Sequence, residues 1–159
     1  MKSLTIFALI MLASLCVAKK LRVKSMAKGK EPWYVNTPIT LKSAHNEYLK
    51  EIDGGFEFGD VLRFSGSKDS ERASWILIPA GDGKYHLQNR GTHHYLTGDS
   101  GYTMYQSGTP WTLIDTGNNR IGLKSDKKGY LKAEKVLFVT FVSFASKMSG
   151  WETWTVERF

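Results

Sequence analysis

Three stretches of the chain repeat one pattern, in which alternating apolar and polar residues lead through a polar turn to Tyr-Leu. They read "ITLKSAHNEYL", "YHLQNRGTHHYL" and "IGLKSDKKGYL", at residues 39–49, 85–96 and 121–131. The alternation is that of a β-strand with one buried face, and the polar middle is rich in turn-forming residues. Each stretch is therefore predicted to form a strand, a turn and a second strand.

A tryptophan and further alternating residues follow each stretch, as "WILI", "WTLI" and "WTVE". The tryptophans, Trp75, Trp111 and Trp154, recur after 36 and 43 residues. The leucine before each turn recurs in the same way, at Leu41, Leu87 and Leu123. A repeat of roughly 40 residues with strand-like alternation predicts a three-fold β array, in which each unit buries its leucines and its tryptophan against its neighbours.

Three units of about four short strands each can close into a small barrel, which leaves no exposed sheet edge. Clusters of Gly, Asn, Asp and Ser between the apolar runs supply the turns. No segment has convincing helical periodicity over two turns, so little helix is expected. The pattern predicts an all-β domain.

The third unit carries a resemblance to a known repeat. With "LKS" and "GYLKAE" within residues 123–134 and "WETWTVE" at 151–157, it resembles the β-trefoil repeat of the fascin-like, actin-cross-linking-type proteins. The resemblance covers roughly Pro38 to Phe159 and implies a β-trefoil with three pseudo-symmetric units. It implies the fold and not the function, because β-trefoils serve as lectins, growth factors, cytokines, inhibitors and cytoskeletal cross-linkers.

The first 18 residues have the layout of a secretory signal peptide. Met1-Lys2 is a short basic start, Leu4 to Val17 is an almost unbroken apolar run, and Cys16 and Ala18 suit a cleavage site. A retained membrane anchor is the alternative, but the run is short of the ~20 residues that a span needs. We expect a signal peptide at residues 1–18, a basic arm and linker at 19–37 and the trefoil domain at 38–159, in a secreted, extracellular protein without a transmembrane anchor.

The positive charge belongs to the arm. The whole chain has a formal net charge of +7, yet residues 31–159 contain 15 basic and 15 acidic side chains. Either the arm binds a polyanion such as an anionic polysaccharide or lipid head groups, or it is a solvated segment without a specific partner. Nucleic acid is not an expected partner of a secreted protein. The basic residues of the arm are Lys19, Lys20, Arg22, Lys24, Lys28 and Lys30.

Catalysis, cofactors and metals have little support. The chain has no Gly-x-Ser-x-Gly, and its one cysteine, Cys16, lies in the predicted signal peptide. The mature protein would thus have neither a cysteine nucleophile nor a disulfide.

His93 and His94 are adjacent, and neighbouring residues of a strand point to opposite sides. Solvated turn histidines are therefore favoured over a metal site, and we expect a protein that is not an enzyme.

Carbohydrate binding is a more specific hypothesis than metal binding or catalysis. The loop at residues 93–105 offers the aromatic faces of Tyr102 and Tyr105 for stacking and Asp99 for hydroxyls, and "DTGNNR" at 115–120 adds amides and a guanidinium. The Gln-x-Trp signature of ricin-type trefoil lectins is absent. The alternative is that these residues only form turns. The residues assigned to this ligand site are His93, His94, Asp99, Tyr102, Tyr105, Asn118, Asn119 and Arg120.

The stretch "VLFVTFVSFA", at residues 136–145, is apolar on both faces of a strand. One face would carry Leu137, Val139 and Phe141, and the other Phe138, Val142 and Phe144. Either Trp33-Tyr34 covers the outer set, or the patch meets a second copy of the chain or another protein. The residues assigned to this partner patch are Phe138, Val142 and Phe144.

Together these features predict a secreted, single-domain β-trefoil that acts by binding. Extracellular carbohydrate is the first expected ligand, held by loops of the second unit, with the arm adding attraction to anionic chains. The alternative is a protein-binding or cytokine-like trefoil that docks on a cell-surface protein through the apolar stretch. Actin binding is only the third candidate, because the fascin-like proteins that bundle actin are cytosolic and carry four trefoils.

Overall fold

The computed structural model describes residues 31–52, 61–98, 103–104 and 108–159. The predicted signal peptide and the basic residues of the arm lie outside the described residues. One short 3-10 helix, Glu71–Ala73, accompanies the strands, and no helix of the described part is long and apolar enough to cross a membrane. The strands are β1 Ile39–Lys42, β2 Tyr48–Ile52, β3 Val61–Ser65, β4 Trp75–Gly81, β5 Lys84–Asn89, β6 Tyr95–Leu96, β7 Thr103–Met104, β8 Trp111–Gly117, β9 Arg120–Ser125, β10 Gly129–Val136, β11 Val139–Ala145 and β12 Thr153–Arg158.

Six of these strands close a barrel. β1 pairs with β12 and β4, β5 pairs with β4 and β8, and β9 pairs with β8 and β12, all antiparallel. The other strands form three hairpins, β2–β3, β6–β7 and β10–β11, each of which continues from a barrel strand. A closed six-stranded barrel with three hairpins is a β-trefoil, so the predicted all-β fold is confirmed.

Each unit buries its repeated tryptophan in the same way. The indole Nε1 donates to the backbone oxygen of the leucine that follows the repeated tyrosine, over 2.9, 3.0 and 3.2 Å in the three units. A buried indole N–H needs an acceptor, which explains why the leucine and the tryptophan recur together. The pairs are Trp75–Leu49, Trp111–Leu96 and Trp154–Leu131, and all six side chains are fully buried.

The apolar stretch at residues 136–145 is not one strand. β10 ends at Val136 and β11 begins at Val139, and these two residues pair with each other across the hairpin. Leu137 and Phe138 therefore form a two-residue turn. This turn could not be predicted from the residue types, because neither leucine nor phenylalanine is a usual turn former.

The predicted partner patch is unevenly exposed: Val142 and Phe144 are half-buried, and Phe138 is exposed. Val142 and Phe144 pack against the core, and the Phe144 ring lies nearly parallel to the Trp111 indole, with 6.4 Å between centroids. The assignment of Val142 and Phe144 to the patch is therefore corrected. The hairpin turns this side of β11 toward the barrel, whereas Phe138, in the turn, is 95% exposed.

The barrel has two different ends. β1, β5 and β9 run toward the hairpins and β4, β8 and β12 run away from them, so the β4–β5 and β8–β9 turns lie at the opposite end. We name this opposite end, with residues 31–38, 82–83, 118–119 and 158–159, the turn end, and the other the hairpin end. Trp33 lies at the turn end beside Asn119. It does not cover the apolar stretch of the third hairpin, so of the two alternatives given above, coverage by Trp33-Tyr34 is ruled out.

Candidate functional site

The segment before β1 is fixed to the barrel and leaves one tryptophan at the surface. Tyr34 and Val35 are buried, and Val35 forms a β-bridge with Leu77 of β4. The Asn36 backbone N–H donates to the Leu77 carbonyl over 2.9 Å. Trp33 itself is 37% exposed. The burial of its neighbours thus holds an aromatic side chain in a defined place at the turn end.

Tyr34 packs directly against this tryptophan. The two rings meet edge to face, with centroids 5.6 Å apart and planes at 78°. Burial, and after it the negative charge of Asp115, raises the pKa of Tyr34 from 10.0 to about 12. The phenol is neutral at physiological pH, as a tyrosine ordinarily is, and the ring supports the indole as a mostly apolar body.

Trp33 borders a shallow recess whose other walls come from β12 and the β8–β9 turn. The recess has a volume of about 430 Å³. The indole Nε1 donates to Oδ1 of Asn119 over 3.2 Å, and the guanidinium carbon of Arg158 lies 5.0 Å from the indole centroid. We name it the Trp33 recess; its lining residues are Trp33, Asn119, Val156, Glu157 and Arg158.

The β8–β9 turn brings Asn119 to the recess. Asn118 and Asn119 have φ of 53° and 56°, the left-handed values that both central residues of a type I′ hairpin turn require. Asparagine adopts this conformation more readily than most residues. The hydroxyl of Thr116 closes the turn by donating to the Arg120 carbonyl over 2.9 Å. The local sequence therefore both makes the turn and presents an amide to the recess.

Positive charge surrounds the one carboxylate of the recess. Glu157 accepts a hydrogen bond from the Tyr48 hydroxyl over 3.0 Å, and the ammonium groups of Lys42 and Lys68 lie 3.8 and 3.6 Å from its oxygens. Lys68 also donates to the Arg158 carbonyl over 3.2 Å. Burial, then the bond to Glu157, raises the pKa of Tyr48, which keeps it a donor. Lys42 and Lys68 thus pair with the Glu157 carboxylate, and Arg158 lies over the Trp33 ring.

These groups combine flat apolar surface with polar atoms of both kinds. The exposed part of the Trp33 indole can pack on a ligand's apolar face. The Asn119 amide and the Glu157 carboxylate offer acceptors, and Arg158 offers donors suited to planar anions. The site can therefore hold a polar ligand that has one apolar face.

The residues predicted to bind a ligand do not form a single site. Asn118, Asn119 and Arg120 are exposed at the turn end, and of these Asn119 lines the recess. His93 and His94 follow β5 and lie at the hairpin end. The three remaining predicted residues, Asp99, Tyr102 and Tyr105, lie outside the described residues.

His94 belongs to the interior, which corrects its assignment to a surface ligand site. It is 7% exposed, and its Nδ1 lies 2.6 Å from Oε1 of Glu51 in β2. The other oxygen of Glu51 accepts from the Thr92 hydroxyl over 2.8 Å. These hydrogen bonds join the first unit to the second. They also satisfy the Glu51 carboxylate, which would be costly to bury without partners. His93 is exposed, and the described residues contain no group of three or more side chains placed to hold a metal.

Sequence reasoning missed most of the Trp33 recess. It assigned Trp33 only a covering role and gave Glu157 and Arg158 none. The one available signal was that Trp33 stands outside the three repeats, so the barrel core does not account for it. The contacts of Trp33 could not be read from the chain, since Trp33 and Asn119 are 86 residues apart.

Known structures share this fold at low sequence identity. An agglutinin of Rhizoctonia solani is 14% identical, with a TM-score of 0.64 over 82% of this chain and 98% of the agglutinin. The designed three-fold symmetric protein ThreeFoil is 19% identical, with a TM-score of 0.63 over 75% of this chain and 96% of its own. A Polyporus squamosus lectin, solved with a human-type influenza-binding epitope, is 13% identical, with a TM-score of 0.60 over 80% of this chain and half of the lectin. No protein-family model and no curated protein matches the chain, so the comparisons establish the β-trefoil fold alone.

Proposed function

We propose that this protein binds carbohydrate through the Trp33 recess and acts by binding, without catalysing a reaction. The observation that carries the proposal is the exposed indole of Trp33 beside the amide of Asn119 and the charged groups of Glu157 and Arg158. A sugar ring has an apolar C–H face that can pack on the indole and hydroxyls that bond to the polar groups. Two of the proteins with the same fold are a lectin and an agglutinin, which supports the proposal.

The charge of the recess favours an acidic carbohydrate. The Arg158 guanidinium lies beside the Trp33 indole, and guanidinium groups bind carboxylate or sulfate through paired hydrogen bonds. We expect a sugar that bears a carboxylate or sulfate to bind more tightly than its neutral counterpart.

A glycan array tests the site with a matched pair of variants. The protein would begin at Lys19, which keeps every strand that the structure describes. Trp33→Ala should weaken binding about tenfold or more if the indole is the main apolar contact. Trp151→Ala is the control, because Trp151 is 41% exposed and has a cation, Lys132, 5.1 Å from its ring centroid. It should bind like the unchanged protein.

Three results separate the parts of the proposal. An array on which the unchanged protein binds nothing would reject carbohydrate as the ligand. Binding that Trp33→Ala leaves unaltered would reject the recess. If His93→Ala then weakened carbohydrate binding, the binding site would be near His93 in the second unit.

The proposal also covers the basic arm and the predicted signal peptide. We propose that residues 19–30 strengthen binding to anionic chains and that the protein is secreted after removal of residues 1–18. A chain that begins at Glu31 should lose the salt-sensitive part of the binding and keep the rest. Sequencing of the amino terminus of the protein released by cells should find Lys19. Kinship with the fascin-like repeats is part of the same proposal and rests on the sequence of the third unit.

A further inference from the structure

The turn of the third hairpin exposes four consecutive apolar residues. Val136 is 52% exposed, Leu137 84%, Phe138 95% and Val139 64%. We name these four residues the hairpin tip. At its base, Thr140 donates a hydrogen bond to Glu47 in the β1–β2 turn, so the tip projects from the hairpin end of the barrel.

The backbone of the hairpin tip has a conformation that its residue types disfavour. Seven non-glycine residues among those described have positive φ, and six of them are Asn, Asp or His. Leu137, with φ of 55°, is the exception. Bulky side chains are disfavoured in this conformation, and a two-residue hairpin turn with positive φ at its first central residue alone favours glycine there. Backbone strain of this kind is a sign of function, here of a need for apolar side chains at the turn.

A second copy of the chain is a poor fit for the hairpin tip. With Phe141, which is 39% exposed, the four residues expose roughly 600 Å², below the ~800 Å² that each partner of a stable protein complex contributes. The side chains diverge around a turn, so a partner would need a pocket to receive them. The other large apolar residues exposed in the described part, Trp33, Trp151 and Phe159, each have a cation over the ring. The recess beside Trp33 is lined mainly by polar and charged residues, so it does not suit an apolar tip.

We propose that the hairpin tip inserts into the interfacial layer of a lipid bilayer. A bilayer receives a convex apolar turn without needing a complementary shape. The backbones of Val136 and Val139 pair with each other, so only the Leu137-Phe138 turn needs polar partners, which the headgroup region supplies. Lys135 directly precedes the tip on β10, where its ammonium group can reach lipid phosphates.

The hairpin tip shares no residue with the Trp33 recess. The inference does not depend on what the recess binds.

Vesicle flotation with a paired substitution tests the inference. The chain from Lys19 would be mixed with vesicles of phosphatidylcholine alone and of phosphatidylcholine with phosphatidylserine, at low and at high salt. The unchanged protein should bind both vesicles, and binding to phosphatidylcholine should change little with salt. Leu137→Asn combined with Phe138→Ser should weaken binding about tenfold or more, because it removes most of the exposed apolar surface. Phe159→Ser, at the turn end, is the control and should bind normally.

Each other outcome overturns the inference. No binding of the unchanged protein to phosphatidylcholine would reject it, and so would binding only to phosphatidylserine vesicles that salt abolishes, which would assign the attraction to the basic arm. Equal binding by the double variant would show that the tip is not the contact. Sedimentation that finds a dimer of the unchanged protein and a monomer of the double variant would replace the bilayer with a second copy. If the double variant melted early, Phe138→Ser alone would serve, since Leu137 then stays in place.

Discussion

Three tryptophans of this chain lie buried beneath the hairpins, and two lie at the surface with a cation over the ring. The buried ones recur with the repeat, and each donates to the same carbonyl of its unit. Trp33 and Trp151 have no counterpart in the other units. The comparison separates two tasks: repeated residues hold the barrel, and residues that occur once give the surface its particular chemistry.

Truncating a buried tryptophan should have the largest effect on stability. Trp111→Ala removes a fully buried indole, its stacking on Phe144 and its bond to Leu96, and should lower the free energy of unfolding by about 3–5 kcal/mol. Trp33→Ala removes a partly exposed ring and should cost under about 1 kcal/mol. Urea unfolding of both variants measures the difference. Similar losses would show that the surface tryptophan also stabilises the fold, which would contradict the division between repeated and single residues.

Breaking the buried network between the first and second units should have the next largest effect. Glu51→Ala leaves His94 without its carboxylate partner in the interior, which should cost about 3 kcal/mol. Glu71→Ala is the control, because its carboxylate is exposed and lies 3.5 Å from Arg90, an arrangement worth at most about 0.5 kcal/mol. Thermal melting compares the two. Equal melting temperatures would contradict a structural role for Glu51.

The repeated interior could be predicted from the sequence because its signals are local. Alternation marks the strands, and the spacing of Leu41, Leu87 and Leu123 marks the units. The burial of these leucines follows from the same alternation. The periodicity of apolar residues indicates which face of a strand is buried. A three-fold sequence repeat therefore predicts most of a fold that has three similar units.

The surface could not be predicted in the same way. The Trp33 recess joins the segment before β1, the β8–β9 turn and β12, which meet only in the folded chain. The hairpin tip was hidden because Leu137-Phe138 continues an apolar run and has no turn former. His94 looked like a surface turn residue, because nothing local shows that Glu51 lies against it. Long-range contacts and unusual turns leave no periodic trace.

The free energy of unfolding should fall at alkaline pH because of Tyr34, which packs against Trp33. Burial raises the pKa of Tyr34 to about 12, whereas an unfolded tyrosine ionises near pH 10. The folded form thus holds its proton where the unfolded form loses it. The stabilisation is complete below about pH 10 and is lost as pH rises through about 12, which amounts to about 2–3 kcal/mol. Urea unfolding from pH 8 to 12 measures it, and Tyr34→Phe should flatten part of the decline. An unchanged slope in the variant would assign the decline to other groups.

The smallest effect should have the opposite sign. Leu137→Asn places a residue that tolerates positive φ at the strained turn and should raise the free energy of unfolding by about 0.5–1 kcal/mol. Asn118→Leu makes the reverse exchange at the β8–β9 turn, where φ is 53°, and should lower it by about 1 kcal/mol. Chemical unfolding of the two variants gives both signs. A loss for Leu137→Asn would mean that leucine stabilises the turn and that the exposed tip needs no other explanation. A gain, together with weaker vesicle binding, would mean that the chain gives up stability at this turn to keep an apolar side chain there. That is the trade expected of a residue kept for contact with something outside the fold.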